Sequence, residues 1–172
     1  MARSYVLNYV HCVFSTKHRT QLIRDPESLW AYIRGIARNL KFDLLSIGGT
    51  DDHVHILLAL PGNRNLADVM RDIKANSSRH MCELGVRFAW QDGYSGISVS
   101  PSQVSVVKRY IANQKEHHRE RGFDEELVML LERAGVRFDR AEVLGVRVPP
   151  AEAGSGSFLE PVPRADAHGS HK

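Results

Sequence analysis

Between residues 5 and 134 strand-like and helix-like segments alternate in an order that leaves few folds open. Residues 5–14 (YVLNYVHCVF) are rich in β-branched and aromatic side chains and read as a strand, followed by a polar, basic loop from Ser15 to Arg24. Asp25-Pro26 then supplies a cap and a first-turn proline, and Leu29, Ile33, Ile36, Ala37 and Leu40 repeat at helical spacing up to Lys41. Residues 42–48 and 53–60 are two apolar runs joined across a turn at Gly49 to Asp52, and Pro61-Gly62 stops the second; the pair reads as a hairpin. Leu66 to Leu84 predicts a second helix capped by Asn65, with Val69, Ile73 and Met81 buried. Phe88 to Val99 predicts a strand with a turn at Gly93 or Gly96. Helices over Ser102 to Arg121 and Asp124 to Ala134 end at Gly122 and Gly135.

The order β-α-β-β-α-β, then helices, predicts an α+β chain. It is the ferredoxin-like split β-α-β arrangement: one antiparallel sheet with helices on one face, plus C-terminal helices. That domain is expected to span residues 1–145. Residues 146–172 hold four of the seven prolines and a Gly-Ser-Gly-Ser run, too little apolar surface to offset the entropy of ordering, so a disordered tail is expected there.

Charge is uneven along this frame. Residues 1–121 carry 17 Lys/Arg against 11 Asp/Glu, residues 122–145 carry 3 against 6, and the basic front suits a polyanionic partner without demanding one. Cys12 and Cys82 fit neither a disulfide scaffold nor a four-ligand zinc pattern. With no membrane-length apolar stretch and no signal-like start, a cytoplasmic location is expected.

Chemistry concentrates at His53-Val54-His55. Alternation along a strand puts both imidazoles on one face, roughly 7 Å apart, a spacing one divalent metal can bridge. Two histidines on an exposed strand face are the plainer reading. Leu57 and Ala59, however, continue the histidine face as apolar residues, and imidazoles buried there need partners. A partner is available in the third helix, where Tyr110 and Gln114 are four residues apart and share a face; a core tyrosine beside an exposed glutamine is the alternative. The amide oxygen could complete a metal site and the phenol could attack what the metal polarises. His117 and His118 follow as solvated or phosphate-facing residues, a metal role for the one that shares the Tyr110/Gln114 face being the less favoured reading, and Asp51 and Asp52 read as turn residues that could also hold a metal.

For nucleic acid, the candidates are Lys17, His18, Arg19, Arg24, Lys74, Arg79 and Arg87, with Trp90 and Tyr94 as stacking surfaces; Trp90 reads equally well as a core residue. These segments in this order, the strand 9–14 leading into Ser15-Thr16-Lys17, Asp52 to His55, Lys74 with Ser77-Ser78, Phe88 to Tyr94, Ser98 to Ser100 and Tyr110 to His118, resemble the single-tyrosine HUH transposases of the insertion sequence 200/605 type. The resemblance runs from about residue 5 to 140.

The resemblance implies a transposase that cleaves and rejoins single-stranded DNA at hairpin-bearing element ends. His53, His55 and Gln114 would hold Mg²⁺ or Mn²⁺, and Tyr110 would be the nucleophile forming a 5′-phosphotyrosine. It also implies a homodimer in which the tyrosine helix of one chain completes the site of the other. The rival expectation is a non-enzymatic hairpin-binding module on the same sheet, a domesticated transposase that needs neither metal nor Tyr110.

Overall fold

The computed structural model describes residues 5–114, 116, 118 and 122–143. Its elements are β1 (Tyr9–Ser15), α1 (Pro26–Asn39), β2 (Asp43–Gly49), β3 (His53–Ala59), α2 (Leu66–Glu83), β4 (Ser95–Val99), α3 (Val104–Ala112), α4 (Phe123–Arg133) and α5 (Arg140–Val143), with 3-10 turns at Lys17–Arg19 and Pro101–Gln103. The four strands form one antiparallel sheet in the order β2-β3-β1-β4, as the split β-α-β pattern requires. The expected tail and the side chains of Lys115 and His117 lie outside the described residues. Among the described residues no helix is long and apolar enough to cross a membrane.

Local signals set the helix starts. The Asp25 side chain accepts the Ser28 N–H at 3.2 Å ahead of Pro26, and Asn65 accepts the Asp68 N–H at 2.8 Å, each satisfying an end donor that the helix itself leaves unpaired. Alternation in the strands then sorts the sheet into two faces. Val10, Cys12, Phe14, Ile47, Val54, Ile56 and Leu58 project onto α1 and α2, where Leu29, Ile33, Val69, Met70 and Ile73 close the main core. Each fully buried aliphatic side chain there contributes about 1.5–3 kcal/mol.

Three boundaries differ from the sequence expectation. β1 begins at Tyr9 rather than residue 5, because β3 stops at Ala59 before Pro61 and offers residues 5–8 no ladder beyond the Leu60 N–H bonded to the Asn8 carbonyl. β4 is confined to Ser95–Val99: Gly93 turns the chain with φ +76°, and upstream only Trp90 bridges to Thr16. The third helix pauses at Asn113, whose N–H is shared between the Arg109 and Tyr110 carbonyls, so Gln114 opens a new helical turn instead of continuing α3.

Candidate active site

The opposite face of the sheet carries the polar chemistry. His53 stands across from Ser15 and His55 across from Val13, and both imidazoles are fully buried. Each ring is held through Nδ1. His53 Nδ1 donates to Asp52 Oδ1 at 2.6 Å, and the Thr50 hydroxyl donates to the same carboxylate oxygen at 2.9 Å. An ionised carboxylate can only accept, so this bond leaves the lone pair of His53 on Nε2, the arrangement in which a carboxylate orients a metal-binding histidine. Asp52, read from the sequence as a turn residue with a possible ligand role, is therefore the group that orients His53. Thr16 ties the same turn to β1, its N–H donating to the Asp52 carbonyl at 2.8 Å.

His55 Nδ1 lies 3.1 Å from Nε2 of His11, its diagonal neighbour on β1. Burial pushes both imidazoles down, His11 to about 3 and His55 to about 4, so both are neutral at pH 7 and a single proton lies between the two nitrogens. With that proton on His55, Nε2 of His55 is left as a lone pair, matching His53.

Gly48 decides what covers these rings. It pairs with His55 across the β2–β3 ladder, and its missing side chain lets the backbone of α3 descend onto the sheet: a Cβ at Gly48 would stand 2.3 Å from the Ile111 carbonyl oxygen. The residues flanking Ile111 follow it down. The Tyr110 ring lies edge-on to His55 and His11 at centroid distances of 5.9 and 6.1 Å, and Gln114 is 1% exposed. The structure thus brings Tyr110, Gln114, His53 and His55 of one chain to one place.

Glu126 of α4, which the sequence reading passed over, stands at the centre. Its Oε1 accepts from the Tyr110 hydroxyl and from Gln114 Nε2 at 3.0 Å; its Oε2 lies 2.8 Å from His118 Nε2, 3.5 Å from His55 Nε2 and 3.9 Å from His53 Nε2. Burial alone would raise this carboxyl, but the contacts with His118, His55 and Tyr110 outweigh it and hold it well below the usual carboxylate range. The Tyr110 phenol moves the other way, raised by burial and by the facing Glu126 carboxylate.

The donor set fits a divalent cation. Among the described residues five buried side-chain atoms lack a hydrogen-bonding partner, and three of them are His53 Nε2, His55 Nε2 and Gln114 Oε1. Buried polar atoms are rarely left so, and two imidazoles beside amide and carboxylate oxygens make a mixed N/O set of the kind that holds a divalent cation. His53, His55, His118 and Glu126 place one ligand atom each within 4.8 Å of one another. His118, favoured from the sequence as solvated or phosphate-facing with a metal role as the alternative, stands in this cluster through its contact with Glu126.

The expected DNA contacts divide. Lys17, His18, Arg24, Arg79 and Arg87 are exposed, and Tyr94 is 38% exposed, so these remain open to a partner. Trp90 does not: it is 6% exposed, packs edge-on to Phe14 and Phe88, and donates Nε1–H to Ser77 Oγ at 2.9 Å, which makes it core. Lys74 donates to the Gln91 and Gly93 carbonyls at 2.7 and 2.6 Å, so its ammonium holds the loop before β4. Arg19 clamps α4 to the β1–α1 loop, pairing with Asp124, lying 5.1 Å above the Phe123 ring and donating to the Val143 carbonyl at 2.6 Å.

Residues 4–114 match the family described as transposase IS200 like, well over half of the 172-residue chain, in a span that holds both histidines and Tyr110 and ends at Gln114. The ISDra2 transposase TnpA of Deinococcus radiodurans is 25% identical over 122 residues, covering 65% of this chain and 86% of that protein. A candidate transposase of the same species, solved as a crystal structure, aligns with a TM-score of 0.53 and 26% identity over 66% of this chain and 96% of its own. The REP-associated tyrosine transposase bound to a REP hairpin aligns with a TM-score of 0.54 and 20% identity over 69% of this chain and 73% of its own, a likeness of fold. With its antiparallel sheet, its paired histidines and a family match that spans all of them, this chain belongs to the IS200-like transposase family.

Proposed function

We propose that this transposase cleaves and rejoins single-stranded DNA at hairpin-bearing ends through a 5′-phosphotyrosine on Tyr110, assisted by Mg²⁺ or Mn²⁺ held by His53, His55 and Gln114. The observation that carries the reading is the convergence of one phenol with three unpartnered buried donor atoms beside it. In the step itself, Tyr110 Oη forms the new bond to phosphorus and the bond from phosphorus to the 3′-oxygen breaks. The phenol proton is balanced by the one gained on the departing 3′-hydroxyl. The phosphodiester count is conserved, so a second 3′-hydroxyl can reverse the step and join new ends without ATP. A bound dication would supply charge neutralisation at the scissile phosphate.

The chain's own residues do the positioning. Asp52 and His11 fix the two imidazoles, Gly48 admits α3, and Glu126 holds the phenol by its hydroxyl. The exposed cations Lys17, Arg24, Arg79 and Arg87, with Tyr94, are the surface offered to the strand. A hairpin substrate is in keeping with the fold relative whose structure holds one. A homodimer with exchanged α3 segments would build the same constellation from two chains.

The test is metal-dependent cleavage. His53→Ala and His55→Ala should keep the fold and lose cleavage of a labelled single-stranded hairpin, and EDTA should do the same to the parent. Cleavage at the parental rate by both variants would remove the histidines from the reaction.

A further inference from the structure

Glu126 lies beyond the segment that matches the family, yet it touches every group the proposed reaction uses. We propose that Glu126 is itself a ligand of the His53/His55 centre, binding through Oε2 while Oε1 keeps the Tyr110 hydroxyl, so that one carboxylate joins metal and nucleophile. The inference rests on the metal site proposed above and adds an anionic donor from α4 to it.

Placement is the first argument. Oε2 stands 3.5 and 3.9 Å from the two Nε2 atoms, neither of which has a hydrogen-bonding partner. Donor atoms around a small dication with bonds of about 2.1 Å lie roughly 3–4 Å from one another, so Oε2 already stands at such a separation from both nitrogens. Glu126 is 4% exposed, and an ionised carboxylate with so little water needs positive charge close by. Its hydrogen-bonding contacts are Tyr110 and Gln114, both uncharged donors, and His118, whose Nε2 meets Oε2 at 2.8 Å. Arg19, the cation packed on α4, is engaged with Asp124 and Phe123 instead.

Charge is the second argument. His53, His55 and Gln114 are neutral donors and would leave a dication at +2. One directly bound carboxylate brings the ion and its ligands to +1, and one phosphodiester brings them to zero, so each of the buried charges meets an opposite one.

α4 is built to deliver this side chain. Phe123 stacks on His53 at 4.3 Å, and the Arg19 contacts anchor the helix start, so Glu126, one turn on, is aimed back at the histidines. Metal binding should therefore tie down α4 as well as β3.

The experiment measures Mn²⁺ binding to the full chain by calorimetry, without DNA. Glu126→Gln should weaken binding at least tenfold, Glu126→Asp should fall between it and the parent, and His53→Ala should abolish binding. Parental affinity in Glu126→Gln alongside loss in His53→Ala would overturn the inference and leave the histidine site standing. Tighter binding in Glu126→Gln would also overturn it, marking the carboxylate as a stand-in for phosphate. Parental affinity in His53→Ala would instead sink the metal site of the proposed function. A second measurement needs no Glu126 variant: Mn²⁺ should slow amide hydrogen exchange in residues 123–133 of the parent and not in His53→Ala. Protection confined to β3 and α3 would refute a ligand on α4.

Discussion

A methyl group added at Gly48 would stand 2.3 Å from the Ile111 carbonyl oxygen, where ordinary contact begins near 3.4 Å, so α3 would have to retreat by 3.4 − 2.3, about 1.1 Å. The obstacle is backbone against backbone, and no side-chain rotation relieves it. Tyr110 precedes Ile111 directly, so the phenol moves with the carbonyl. A misplacement of about 1 Å at a reacting group costs on the order of 10²-fold in rate, equivalent to about 2.7 kcal/mol of barrier. The core should feel little of this, because Gly48 lies on the histidine face and the main cluster packs against α1 and α2 on the other. Gly48→Ala should therefore remain folded, with a melting temperature lower by a few degrees, while single-turnover formation of the DNA–protein adduct slows about 100-fold. Circular dichroism and a denaturing gel with labelled hairpin measure the two quantities. A folded variant that forms adduct at the parental rate would refute the claim that Gly48 sets the height of α3.

Acid should unfold the metal-free protein early. The unfolded chain takes up protons at His11 and His55 as pH falls through about 6.5, and the folded chain refuses them until about 3 at His11 and about 4 at His55, so the unfolded state binds more protons and stability falls across that window. The depressed Glu126 carboxyl acts in the same direction at lower pH, since its stabilising contribution is lost as it protonates. In EDTA the melting temperature should drop steadily from pH 6.5 to 4; a flat profile would contradict the buried neutral pair. Subunit mixing tests where the tyrosine acts. His53→Ala and Tyr110→Phe chains should each be inactive, and restored cleavage on mixing under exchange would place the phenol across a dimer interface, whereas inactive heterodimers would place it within one chain.

Local rules made most of the fold legible. Asp25-Pro26 and Asn65 mark helix starts through donors that must be satisfied nearby, and Pro61 stops β3, so element order and topology follow from short stretches of chain. His53 and His55 were legible for the same reason, since two-residue alternation puts them on one face wherever the strand lies. His11 was not: its bond to His55 depends on the register of β1 against β3, although its own spacing to Val13 already placed it on that face. Glu126 was hidden further. The one local hint is an acidic residue three positions after Phe123 on the buried side of α4, and its role depends on how that helix docks. Trp90 and Lys74 show how composition leaves two readings open: an indole in a basic region reads as core or as a DNA contact, and only the contacts with Ser77 and the loop carbonyls show what each side chain holds in the fold.

Peptide mapping of the adduct decides whether Tyr110 becomes covalently joined to DNA beside its histidine pair. A labelled single-stranded hairpin incubated with the parent and Mn²⁺ should yield a protein–DNA species stable on a denaturing gel, with the nucleotide carried on the peptide containing Tyr110. Tyr110→Phe keeps the ring's packing and every proposed metal donor, so it should still bind Mn²⁺ and the hairpin while forming no adduct. An adduct on Tyr94 or any other tyrosine, or cleavage by Tyr110→Phe that leaves a free 5′-phosphate, would contradict the account.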